Sequence, residues 1–178
     1  MSGLVQLPGV RHGGRALHRT LVLVAALGLL LLGAPLAQAQ QGPADAQVGD
    51  VMARPTAPAG VVFEVISSDE GRLADVAPAI GDYARRLRER FPGIEVAVVT
   101  HGAEQFSLLS ESAGQYQALH TEIRSLIETR DVPVYVCGNH ASWREKTASD
   151  FPDFVKVAPS AGGQLDHYQT RGFVLIVL

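Results

Sequence analysis

The 178-residue chain contains one cysteine, Cys137, which closes the apolar run Val132-Pro133-Val134-Tyr135-Val136. Gly138-Asn139-His140 follows, where a new helix is predicted to begin. A thiol at the end of a buried strand and ahead of a helix faces backbone N–H groups and the positive end of the helix dipole. Such surroundings favour the thiolate, the form that attacks sulfur, carbon or a metal. His140 is placed to stabilise that thiolate as an imidazolium or to shuttle a proton. His101, followed by Gly102, ends another apolar run on a neighbouring loop, where it can serve as a loop cap. The bland alternative for Cys137 is a buried structural thiol, since free cysteine is among the most buried residue types.

Other chemistries have less support. One thiolate with two imidazoles is a soft donor set, but copper sites of that type add a weak axial ligand such as methionine. Met52 is the only methionine beyond Met1, and no metal is assigned. No C-x-x-C-H is present for covalent haem, and no glycine-rich loop follows the first apolar strand to hold a nucleotide or flavin. Asp166-His167 has no serine in an elbow motif, which leaves a hydrolase triad without support. No cofactor is expected.

These residues must be held by a fold, and the chain divides into three parts. Residues 1–20 carry Arg11, Arg15 and Arg19 and no acid; Leu21 to Leu32 is a 12-residue apolar run, and Ala37-Gln38-Ala39 follows. That order is the pattern of a secretory signal peptide over 1–39, with cleavage after Ala39 and a periplasmic or secreted product. The run is short of the roughly 20 apolar residues a membrane anchor needs. Cleavage removes three of the 15 basic residues and none of the 18 acidic ones, leaving a net charge of 12 − 18 = −6. An acidic domain without a basic cluster is a poor nucleic-acid binder. Export also means an oxidising compartment, where a lone cysteine is inert, bonded to another molecule or kept for reactivity.

Residues 40–60, rich in Ala, Pro, Gly, Gln and Asp, read as a flexible leader. From Val61 onward, apolar strands alternate with helical patterns. Strands are predicted at Val61–Ile66, Ile94–Thr100, Val132–Cys137, Phe154–Val157 and Phe173–Leu178. Helices are predicted on the Leu73–Leu87 and Tyr116–Ile127 periodicities, weakly at 141–149, and at 162–170. The alternation predicts a three-layer α/β domain over 61–178 with a mostly parallel five-stranded, flavodoxin-like sheet. Right-handed crossovers gather the strand-to-helix loops on one edge, where such sheets bind ligands. Ser67, His101, Gly102, Cys137, Gly138, Asn139 and His140 meet there. Trp143, Phe151 and Phe154 flank the segment as subunit-interface or ordinary core residues.

Three stretches in this order resemble the DsrE/DsrF-like sulfur-relay family: Val98-Val99-Thr100-His101-Gly102 with Leu108-Leu109, Val134-Tyr135-Val136-Cys137-Gly138-Asn139, and Gly172-Phe173-Val174-Leu175-Ile176. The resemblance covers nearly all of 61–178. It implies a sulfurtransferase-like carrier that holds sulfane sulfur as a persulfide on Cys137. His140 and the backbone of Gly138-Asn139 would polarise the site, with His101 as a site residue or partner contact and Gly102 and Ser67 beside them. It further implies sulfur donor and acceptor proteins or sulfane-sulfur compounds as partners, and a homo-oligomer, trimer or hexamer. The chain departs from the family in reading His140-Ala141-Ser142-Trp143-Arg144 after the cysteine, where some members carry an early Arg-Gly or a second cysteine. Two alternatives stay open: a non-catalytic oligomeric module of a periplasmic redox or sulfur-oxidation complex, or a small-molecule or metal binder at the same rim.

Overall fold

The computed structural model describes residues 42–178. The expected signal peptide, residues 1–39, and the first two leader residues lie outside the described residues. The remaining leader is not featureless: α1 spans Pro43–Met52. Proline fits the first helical turn, where its missing N–H is not needed. Val48 and Val51, one helical turn apart, are buried in the main core. Arg90 closes the far end by donating to the carbonyls of Met52 (3.1 Å) and Arg54 (3.0 Å). Burial and a borrowed cap outweigh a composition that by itself gives no helix.

The domain continues β1 (Gly60–Val65), α2 (Arg72–Arg90), β2 (Glu95–Thr100), two 3-10 turns (Ala103–Leu108 and Ser110–Ser112) and α3 (Gln117–Glu128). Then come β3 (Val134–Cys137), α4 (Gly138–Ser142), a 3-10 turn (Ala148–Asp150), β4 (Lys156–Ala158), α5 (Ala161–Thr170) and β5 (Phe173–Val177). All five strands pair in parallel, in the order β4-β3-β2-β1-β5. The three-layer α/β architecture is the one expected. The predicted 141–149 helix is instead α4, begun three residues earlier, and the separate 148–150 turn. β4 lies two residues downstream of the expected start.

The strand order decides which face each helix covers. From β1 to β4 the chain steps in one direction, and α2, α3 and α4 bury side chains in one core with Phe63, Val65, Val96 and Val98. From β4 to β5 it steps back across the sheet, and a right-handed crossover then requires the opposite face. There α5 packs Ala161, Leu165 and Tyr168 on Val62, Ala97, Val99, Cys137 and Phe173. One ten-residue helix is thus the cover this face receives among the described residues. Its margin stays bare: Ile66 is 51% exposed and Val177 46%. No helix of the described residues is long and apolar enough to cross a membrane.

Candidate functional site

Neighbouring strands whose outgoing chains leave on opposite faces open a crevice at their carboxyl ends. Here those strands are β3, which feeds α4, and β4, which feeds α5. The residues flanking the crevice are the register pair Cys137 and Ala158. Cys137 is 6% exposed and borders a cavity of about 320 Å³ with Ile66, His101, Asn139, His140, Trp143 and the Ser160–Gly162 turn. Its Sγ accepts two backbone N–H groups, from His140 (3.4 Å) and from Ala161 at the start of α5 (3.4 Å). Negative charge on the sulfur would meet two aimed donors and the N-terminal end of α5.

The peptide of Cys137 is held by a side chain. Pairing of β2 with β3 ends at Thr100 and Val136, so the next residue has no strand beside it on the β2 side. Gln105, fully buried, fills the gap. Its Oε1 accepts from Cys137 N (2.8 Å) and its Nε2 donates to Cys137 O (3.4 Å). A primary amide offers one acceptor and one donor side by side, the pair an adjacent strand would present.

Glu104 braces the neighbouring loops. Its carboxylate is fully buried and accepts from Ser67 N (2.7 Å), Thr100 Oγ1 (2.6 Å), Gly102 N (2.8 Å) and His101 N (3.1 Å). Four donors replace the water lost by this group, the condition under which burying a carboxylate is tolerable. They tie the end of β1 to the end of β2. Gly102 is required there because a Cβ would overlap the Glu104 carboxylate and the Ser67 backbone.

The two histidines are fixed differently. His101 places Nε2 2.7 Å from Glu64 Oε1, and its carbonyl accepts from His140 Nδ1 at 2.6 Å. A carbonyl can only accept, so His140 carries a hydrogen on Nδ1. Phe106 and Trp143 pack edge-on against the His140 ring, with centroids at 5.3 and 5.0 Å.

Of the residues expected at the site, Cys137, His101, His140 and Asn139 line the cavity. Ser67, Gly102 and Gly138 do not. The Ser67 amide is bound to Glu104 and its hydroxyl accepts from Asp69 N at 3.0 Å. Gly138 is pressed on β4, where a Cβ would meet Ala158 O at 3.0 Å and Val157 Cγ1 at 3.2 Å. Trp143 is 73% exposed rather than core, while Phe151 is buried. Glu104 and Gln105 lie in what reads as an open loop; their signal is a polar pair set against Phe106-Ser107-Leu108-Leu109. Glu64 has a similar one, interrupting Val61-Val62-Phe63 and Val65-Ile66. Among the described residues no three of His, Cys, Asp and Glu converge on a metal-sized gap. A larger groove of about 770 Å³ lies along α2 and Arg130, away from the sulfur.

The sequence matches the DsrE/DsrF-like family over residues 66–178. The chain belongs to that family. No curated protein matches it. Among solved structures, this DsrE-like chain shares its fold with MTH1491 of Methanobacterium thermoautotrophicum, a protein of unknown function: 22% identity, TM-score 0.52, 66% of this chain and 97% of that one. BT1422 of Bacteroides thetaiotaomicron, also of unknown function, is 14% identical with a TM-score of 0.47, covering 66% and 94%. The ychN protein of E. coli is 15% identical with a TM-score of 0.46, covering 67% and 99%.

Proposed function

We propose that this DsrE-like domain is an exported carrier of sulfane sulfur. The observation that carries the reading is the placement of Cys137 Sγ at the topological switch point, beside a cavity and under two backbone donors. The Cys137 thiolate attacks the outer sulfur of a donor persulfide, R–S–SH. A bond forms between Sγ and that sulfur, the donor S–S bond breaks, and R–S⁻ leaves. An acceptor thiolate later attacks the outer sulfur and releases Cys137 as thiolate. An added sulfur stands about 2.05 Å beyond Sγ, a reach that the cavity accommodates although the residue is nearly buried. The 1–39 segment supports export, and donor and acceptor would then be exported too.

Intact-mass spectrometry of the mature protein tests this, before and after incubation with polysulfide. The expected result is a gain of one sulfur mass, reversed by reductant and absent in Cys137→Ala. No gain in wild type, or a gain that persists in Cys137→Ala, removes the carrier reading.

One observation favours an oligomeric role beside it. Ile66, Val177 and Trp143 are the exposed large apolar side chains among the described residues; Ile66 and Trp143 border the cavity, and Val177 pairs beside Glu64. An apolar margin of that kind suits a subunit interface. Sedimentation of the mature protein as a trimer or hexamer is expected, and a monomer at micromolar concentration rules it out.

A further inference from the structure

Glu64 is the residue that neither the fold nor the sulfur chemistry has used. It sits in β1, the strand between β2 and β5, on the α5-side face with Val62 and Ile66. A carboxylate there gains nothing from packing, and it is only 17% exposed. Among the described residues its one ionic partner is His101. His101 is itself pinned at three points. Its N–H is shared between Val65 O (3.2 Å) and Glu104 Oε1 (3.1 Å), its carbonyl accepts from His140 Nδ1–H, and its Nε2 faces Glu64. A carboxylate can only accept, so the ring donates Nε2–H to it, and Nδ1 is the nitrogen left to exchange a proton. Both His101 and Cys137 border the same cavity.

We infer that Glu64, His101 and Cys137 form a carboxylate–imidazole–thiol set, in which His101 carries the proton of the sulfur chemistry and Glu64 is its positioning residue. Nδ1 takes the proton from Sγ–H as the thiol becomes the attacking thiolate. The resulting imidazolium lies against the Glu64 carboxylate. When the donor S–S bond breaks, the same proton passes from Nδ1 to the departing R–S⁻, which leaves as R–SH. The ring returns to neutral, and the loading step takes no proton from elsewhere. A nucleophile, a base and a group that orients the base is the arrangement by which weak nucleophiles are activated.

The charges around the two rings distinguish them. His101 faces Glu64, with the buried Glu104 carboxylate under its amide. His140 has a carbonyl as partner, and the Phe106 ring beside it carries the Arg144 guanidinium 4.0 Å from its centroid, itself paired with Glu70. A proton taken up at position 101 meets a carboxylate, and one taken up at 140 does not.

This assignment rests on Cys137 being the reactive group of the proposed carrier. The test separates the two by using iodoacetamide, which reads thiolate formation without any sulfane sulfur, alongside polysulfide. At neutral pH, His101→Ala is expected to slow alkylation by about 100-fold, the usual weight of a general base. Added imidazole should restore part of the loss, as it would not for a merely structural residue. Glu64→Gln should slow it by at least ~10-fold, and should add nothing to His101→Ala, because the two act as one unit. NMR of the wild-type imidazoles should find His101 protonated on Nε2 and His140 on Nδ1. Unchanged alkylation in His101→Ala or in Glu64→Gln, additive losses in the double variant, or no imidazole rescue in a variant that melts like wild type overturns the set. If alkylation behaves as expected but polysulfide adds no sulfur, the set stands and the carrier reading falls.

Discussion

Replacing Gln105 with leucine keeps the side-chain volume and deletes both hydrogen bonds to the Cys137 peptide. The orphaned Cys137 N–H and C=O are buried, and an unsatisfied buried group costs about 1–3 kcal/mol. Taking ~2 kcal/mol for the donor at 2.8 Å and ~1 kcal/mol for the longer contact gives about 3 kcal/mol. A domain of this size has roughly 5–15 kcal/mol to lose, so Gln105→Leu should fold and melt about 10 °C lower. The loss is local to the end of β3, and Cys137 is the single thiol, so its labelling reports the opening directly. Cys137 is nearly buried, so labelling by a maleimide on a bulky polymer is slow until that end opens. Lowering the opening cost by ~3 kcal/mol raises the open population, and hence the labelling rate, about 100-fold. Mass spectrometry of timed samples measures it. A lower melting temperature with unchanged labelling would show that the amide holds something other than the cysteine, and no change in either would refute the clamp.

Gly102→Ala should cost about 3 kcal/mol, read from urea unfolding, since the new methyl overlaps both Glu104 and Ser67. Glu104→Gln should cost a similar ~3 kcal/mol, because an amide turns a donor toward at least one of the four groups that now donate to the carboxylate. Trp143→Ser should alter monomer stability by less than ~0.5 kcal/mol while weakening self-association in sedimentation; unchanged association removes Trp143 from the interface. Asp150 is held below the usual carboxylate range by hydrogen bonds from the Thr147 N–H and hydroxyl. A carboxyl depressed in the folded state stabilises above its unfolded value, and that contribution is lost as pH falls through the folded one. The melting-temperature gap between wild type and Asp150→Asn should therefore close on acidification from pH ~6 to ~2.

The parallel sheet is readable from the sequence because a strand buried on both faces must be apolar throughout, as Val61–Phe63, Val96–Val99 and Val134–Val136 are. The convergence of Cys137, His101, His140 and Asn139 follows, since right-handed crossovers leave few places for the loops. The α1 helix is not readable: Val48 and Val51 are two apolar residues among Ala, Pro and Gly, and only the surface they cover distinguishes them from a linker. Gln105 is hidden for a different reason. Its partner is a backbone peptide 32 positions away, and backbone groups leave no trace in residue types. Glu64 and Glu104 do leave a trace, as acids in apolar surroundings, but whether such an acid is caged or solvated depends on which donors the tertiary fold delivers.

The way α5 begins sets how the sulfur environment fluctuates. Its first turn reads Ala161-Gly162-Gly163, both glycines exposed, with the Ser160 hydroxyl capping Gly163 at 3.1 Å. Each glycine lowers helix stability by up to about 1 kcal/mol relative to alanine. The other half is anchored: the Tyr168 ring lies 4.7 Å from Phe173, and burial followed by the Tyr135 hydroxyl pushes its phenol well above the usual range. Amide exchange along α5 should thus be fast at Ala161 and slow at Tyr168, a gradient within a single helix. The sulfur accepts from the fast end. With the turn closed, protein dipoles solvate it; each time the turn frays, water does, and the sheet beneath does not have to move.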